Sequence, residues 1–257
     1  MKKLIAFLII SVSAANGFEG PEFMLIGRDC LNEIAFNDSI SLNHTKIPIE
    51  FECTDGNLHN IKKLDWYRGK LGFKTKFGKV GFSFINYGIR NLYERQKYAV
   101  SYNRNIWSTL SMSAEFSREV YNYDGYYRLE HNDFLSFNSS YSLKTFGIYI
   151  AVSELPTKRG IKLNSPNPEL LGAIKWRASN SITLHGIYFK DDINYSRFDI
   201  GQKLTLAEPI AISAGFLTGP QVYYLGTNIS YKGFAFEYVF YDVTQLPGCW
   251  SLALIFR

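Results

Sequence analysis

The chain lacks any long apolar run after its first dozen residues. Nothing beyond Val12 approaches the roughly 20 consecutive apolar residues of a membrane-spanning helix, so spanning helices are excluded. Cysteine is scarce: Cys30, Cys53 and Cys249 are too few for a disulfide scaffold. Cys30 and Cys53 can pair in an oxidising compartment and leave Cys249 over, or all three can be buried thiols; the sequence favours neither. No Cys-x-x-Cys, His-x-x-x-His or calcium-loop spacing occurs, and no phosphate-cradling glycine loop, so neither a metal nor a cofactor is expected. Runs of one charge sign are also missing. The 28 Lys and Arg are spread among 23 acids, and no nucleic-acid partner is expected.

What is present begins with an export signal. Lys2 and Lys3 precede the apolar stretch Leu4 to Val12, and Ser13, Ala14 and Ala15 offer a cleavage site. Residues 1–15 are read as a signal peptide, 16–37 as an N-terminal segment able to act as a plug, and 38–257 as one domain. Cleavage removes two lysines, so the formal charge falls from +5 to +3.

Aromatic residues make up 16% of the chain, yet the mean hydropathy is only −0.11. That combination suits strands with one apolar and one polar face. From Arg197, Phe198, Ile200, Leu204 and Leu206 oppose Arg197, Asp199, Lys203 and Thr205. Farther on, Phe234, Phe236, Tyr238 and Phe240 oppose Ala235, Glu237, Val239 and Tyr241, and Trp250, Leu252, Leu254 and Phe256 oppose Ser251, Ala253, Ile255 and Arg257. A period of two, repeated hairpin after hairpin, predicts an all-β chain. Strands are expected near 38–44, 64–76, 79–90, 96–104, 107–118, 132–143, 145–154, 168–178, 181–190, 195–206, 209–218, 221–231, 233–243 and 248–257.

The connections point the same way. Tight links at 77–79, 104–105, 144, 179–180, 207–209 and 232 alternate with roomier ones at 45–63, 91–95, 119–131, 155–167, 191–194 and 244–247, apart from a brief link at Gly219-Pro220. Short turns on one side and longer loops on the other are the habit of a bacterial transmembrane barrel, and an even strand count puts both termini on the short-turn, periplasmic side. Closure also removes the exposed edges that make flat aromatic strands aggregate. The fold expected is therefore a closed antiparallel transmembrane β-barrel of about 14 strands in the bacterial outer membrane. Trp66, Trp107, Trp176 and Trp250 are assigned to its interfacial girdles, and Phe146, Ile148, Ile150 and Val152 to its lipid face. A soluble core filled by the same aromatics is the competing reading.

The stretch Gly215-Phe-Leu-Thr-Gly-Pro220, then Leu225-Gly226, then Gly233-Phe-Ala-Phe-Glu-Tyr238 and the closing strand, resembles the last hairpins of FadL-like and PorV-like outer-membrane proteins. The resemblance covers roughly the last quarter of the chain. It implies a fourteen-stranded barrel that passively transports hydrophobic or amphiphilic small molecules, or else a secretion-associated barrel of the PorV type. Asn32-Glu-Ile-Ala35 stands where the family carries an Asn-Pro-Ala-Gly-type plug motif, and its proline and glycine are missing.

Inward-facing candidates are Lys70, Lys74, Lys175, Arg177, Arg197, Asp199, Lys203 and Glu237, with Glu115 beside them. They are read as lumen lining, and their basic excess favours anionic or amphiphilic solutes. Expected partners are outer-membrane lipids, the barrel-assembly machinery through the C-terminal strand, and such a small molecule. Catalysis is not expected: His44 and His131 have Ser41 and Asp133 nearby but no hydrolase motif, so a lipid hydrolase is a remote alternative. His59 and His131 are assigned to external loops and His185 to an inner strand face.

Overall fold

A strand that alternates apolar and polar residues must turn one row toward each environment, and its neighbours must turn the same way. In the computed structural model this is met by a closed antiparallel barrel in which each strand pairs with its sequence neighbours and the first pairs with the last. The structure describes residues 49–57, 65–89, 93–123, 126–157, 169–190, 196–218, 221–243 and 248–256. The strands are β1 (Ile49–Asn57), β2 (Asp65–Thr75), β3 (Gly78–Ile89), β4 (Tyr93–Asn105), β5 (Leu110–Tyr123), β6 (Tyr126–Ser142) and β7 (Phe146–Pro156). They continue as β8 (Glu169–Arg177), β9 (Ile182–Lys190), β10 (Ser196–Ala207), β11 (Ile210–Leu217), β12 (Val222–Tyr231), β13 (Phe234–Val243) and β14 (Cys249–Phe256).

The expected all-β barrel of 14 strands is the fold observed, with three corrections. The strand expected near 38–44 lies outside the described residues, as do the proposed signal peptide and the segment 16–37. The first strand instead runs through 49–57, inside what reads as a long link, and closes the barrel by pairing Phe51 with Phe256 and Glu52 with Ile255. The roomy link expected at 119–131 is mostly strand: β5 and β6 stay paired as far as Tyr121 and Glu130, and Tyr123 meets Tyr126 past a bulge. His131 therefore stands on β6 opposite Val120 rather than in a loop. The turn expected at Arg104-Asn105 lies at residues 106–109.

The register sorts the residues into two faces. Phe82, Val100 and Phe116 form one continuous outward row, and Ile150, Ile174, Ile200, Leu225 and Leu254 lie on the same exposed face. Cross-strand aromatics reinforce it: Phe84 packs on Tyr67 and Tyr98 with ring centroids 5.7 and 5.0 Å apart, and Phe234 lies 4.8 Å from Phe256. Such pairs contribute about 0.5–1.5 kcal/mol each beyond the area they cover. The outer row of β12 runs from Tyr223 to Tyr231. Over these nine positions, eight rises of about 3.4 Å at a tilt near 40° span roughly 21 Å, close to the ~25 Å apolar band of a membrane barrel.

Three tryptophans lie outward near strand ends: Trp107 is 67% exposed in the turn before β5, Trp176 is 50% exposed beside Phe146, and Trp250 stands opposite outward Phe240. Trp66 does not: it is fully buried on the inner face. Gly56 makes this possible, since a Cβ there would sit 2.5 Å from the Trp66 indole. Trp66 alternates with Arg68 and Lys70, so its parity, not its nearness to a strand end, decides its direction.

Candidate functional site: the lumen wall

The inner face divides into two halves. The turn side carries the tight turns between β2 and β3, β4 and β5, and so on, together with the barrel's first and last described residues; the loop side carries the other connections. Strand spacing near 4.8 Å and a tilt near 40° give fourteen strands a backbone radius of roughly 14 Å. Such an interior is too wide for its wall side chains to meet across the centre.

In the loop-side half, inner residues are buried and their charges are paired. Glu119 on β5 is fully buried; Arg95 on β4 lies 2.6 Å from its Oε1 and Lys97 3.5 Å, while the Tyr121 hydroxyl donates to Oε2 at 2.6 Å. The Arg95 guanidinium also stacks between Tyr87 and Tyr121, 5.7 and 5.6 Å from their ring centroids. Nearer the middle, Glu52 accepts from Thr54 at 3.1 Å and faces Arg68 at 3.9 Å. Two apolar clusters share this half. One gathers Trp66, Leu217, Val222, Val239, Tyr241 and Cys249; the other gathers Tyr149, Ala151, Leu171, Ala173, Ile187 and Phe189.

Between the halves lies a polar triplet from three strands. The Tyr224 hydroxyl donates to Asp199 Oδ1 at 3.1 Å and lies 2.7 Å from His185 Nε2, an arrangement that suits an Nε2–H donating to the phenol oxygen. Tyr224 lies flat against the wall over Gly201 and Gly215. A Cβ at Gly215 would stand 2.5 Å from its Cε1, and one at Gly201 would collide with its hydroxyl. Glycine at both positions is a matter of space.

The turn-side half is more open. The expected lining residues fall on the inner row by register: Lys70 opposite Ser83, Lys74 opposite Lys79, Lys175 opposite His185, Arg177 opposite Thr183, and Glu237 opposite Ala253. Arg197, Asp199 and Lys203 follow one another along the same row of β10. They do not converge on one point. Arg197 is buried at the loop side over the Phe189 ring, 5.9 Å from its centroid, Asp199 belongs to the triplet, and Lys74 and Lys203 are exposed near the turns. Lys79 of β3, also inward, reaches across β2 to pair with Glu50 of β1. Sequence reading missed Arg68, Arg95, Lys97 and Glu119, although their alternation with outward Tyr67, Gln96, Tyr98 and Arg118 carries the signal.

Among the described residues, no three His, Cys, Asp or Glu side chains group to hold a metal ion. Cys53 is exposed and Cys249 buried on the opposite face, so the two do not pair with each other; Cys30 lies outside the described residues. His131 is exposed on the outer face, and the nearby Asp133 is gripped by both arms of Arg118 at 2.6 and 2.8 Å rather than orienting the imidazole. His44, His59 and Ser41 lie outside the described residues.

An apolar exterior around a polar-lined, fully hydrogen-bonded closed sheet is the construction of a transmembrane β-barrel. No family model matches the chain, and no curated protein matches it. Solved structures of similar shape include a KdgM porin, 8% identical, with a TM-score of 0.46 over 81% of this chain and 98% of that one. A KdgM porin in complex with disordered oligogalacturonate is 10% identical with a TM-score of 0.47, over the same shares of each chain. A mutant of the Rh. blastica porin is 6% identical with a TM-score of 0.45, again over 81% and 98%. These likenesses concern barrel architecture only.

Proposed function

We propose that this chain is a bacterial outer-membrane barrel that binds or passes small amphiphilic solutes without an energy source. The observation that carries the reading is the mixed inner wall. Apolar clusters such as Tyr149, Leu171, Ile187 and Phe189 share it with Lys70, Lys175, Arg177 and Lys203. A solute with an apolar body and an anionic head matches both surfaces, as the FadL-like resemblance of the closing hairpins also suggests. In this reading the outer face is solvated by outer-membrane lipids, the turn side faces the periplasm, and the closing strand from Trp250 to Phe256 is what the assembly machinery recognises. No covalent chemistry is assigned to the wall. The test is uptake of a labelled long-chain fatty acid into liposomes holding the refolded protein. Uptake above that of empty liposomes is expected; none at all overturns the transport reading.

A second reading, a secretion-linked or structural barrel of the PorV type, is favoured by the buried loop-side half of the lumen wall. Trp66, Phe134, Glu119 and Arg197 are all buried there. Co-purification of a stable protein partner, without solute uptake, would select it.

A further inference from the structure

The charges on the barrel are not distributed evenly along its axis. Among the described residues, the turn-side half of the inner wall carries Lys74, Lys79, Lys175, Arg177 and Lys203 against Glu50, Glu115 and Glu237. Lys74 lies on β2 and Lys203 on β10, on well-separated parts of the wall. Lys79 is paired with Glu50, and in the loop-side half Arg95 and Lys97 are engaged by Glu119, whereas Lys74 and Lys203 stand exposed.

We infer that the turn-side mouth is an anion-attracting vestibule that makes the barrel anion-selective, admitting small solutes with carboxylate or sulfonate groups. This rests on the proposed channel reading and adds ion selectivity and the half of the wall that sets it. A mouth with a net excess of one sign of charge between low-dielectric walls concentrates the opposite ion. The Debye length, about 10 Å at 0.1 M salt, is shorter than the lumen is wide, so solute near the wall feels the field more than solute on the axis. Selectivity is therefore modest at 0.1 M and fades toward 1 M.

The test is the reversal potential of the full chain in planar bilayers under a potassium chloride gradient. A chloride-to-potassium permeability ratio of about three is expected at low salt, falling toward one at high salt. The double variant Lys74→Gln/Lys203→Gln should lower the ratio about twofold. Lys144→Gln/Lys232→Gln removes the same charge from turns outside the lumen and should leave it nearly unchanged. A conducting wild type that prefers potassium, or a ratio indifferent to the first pair, overturns the inference and leaves the channel reading standing. If the wild type does not conduct, anisotropy of a pyrene trisulfonate dye with the protein in neutral detergent decides. Dye binding weakened about threefold by the first pair and not the second supports the vestibule and defeats only the channel; no binding defeats both.

Discussion

At the loop side of the lumen Arg95 and Glu119 meet at 2.6 Å with both side chains almost out of solvent, whereas at the turn side Lys74 and Lys203 stand exposed on the same inner row. The strands and the alternation are the same, so the contrast comes from what the side chains do with their charge. Buried charges must be paired and hydrogen-bonded to be tolerated, and they then hold the wall in one arrangement. Exposed charges are solvated, contribute little to stability, and remain available to a solute. One half of the lumen wall buries its charges in pairs, and the other leaves Lys74 and Lys203 in solvent.

Four substitutions test that contrast. The largest effect is expected at Glu119→Ala, which takes away the carboxylate shared by Arg95, Lys97 and Tyr121. It should cost about 3–5 kcal/mol in reversible urea unfolding from lipid vesicles, and a loss below about 1 kcal/mol would remove the stabilising half of the comparison. Ile200→Arg introduces a charge on the outward row of β10, where the side chain is 68% exposed; in the same assay it should lose about 2–4 kcal/mol if lipid covers that face. Gly201→Val crowds the Tyr224 hydroxyl and should cost about 1–3 kcal/mol, with the phenol displaced from Asp199. Lys203→Gln should change stability by less than about 0.5 kcal/mol. A larger loss there would mean that the turn side is also structural.

The barrel was legible because its evidence is repetitive. Rows such as Phe234, Phe236, Tyr238 and Phe240 alternate with the opposing row through a whole strand, and errors at single ends do not change the count. The exceptions have local causes. In β1 only Ile49, Phe51 and Cys53 mark the outer row, while Glu50, Glu52 and Thr54 oppose them and Asp55-Gly56 reads as a turn. In β5 and β6 the outer row turns polar at Arg118, Asn122, His131 and Asp133, so strand that continues beyond the apolar band looks like loop.

The lumen was legible in part. Parity alone puts Lys70, Lys74, Lys175, Arg177, Arg197, Asp199, Lys203 and Glu237 on one row of their strands. Which charges meet was not. Glu119 finds Arg95 across an antiparallel register that no local pattern encodes, and Asp199 finds Tyr224 across β11, where Gly215 leaves the room.

The most direct test of a transmembrane barrel with a wet interior is the labelling rate of single cysteines on β10 by a membrane-impermeant maleimide in proteoliposomes, with Cys30, Cys53 and Cys249 replaced by serine. Lys203→Cys points inward and should react rapidly, whereas Ile200→Cys points outward and should be protected by lipid. Equal rates at the two positions would contradict the account.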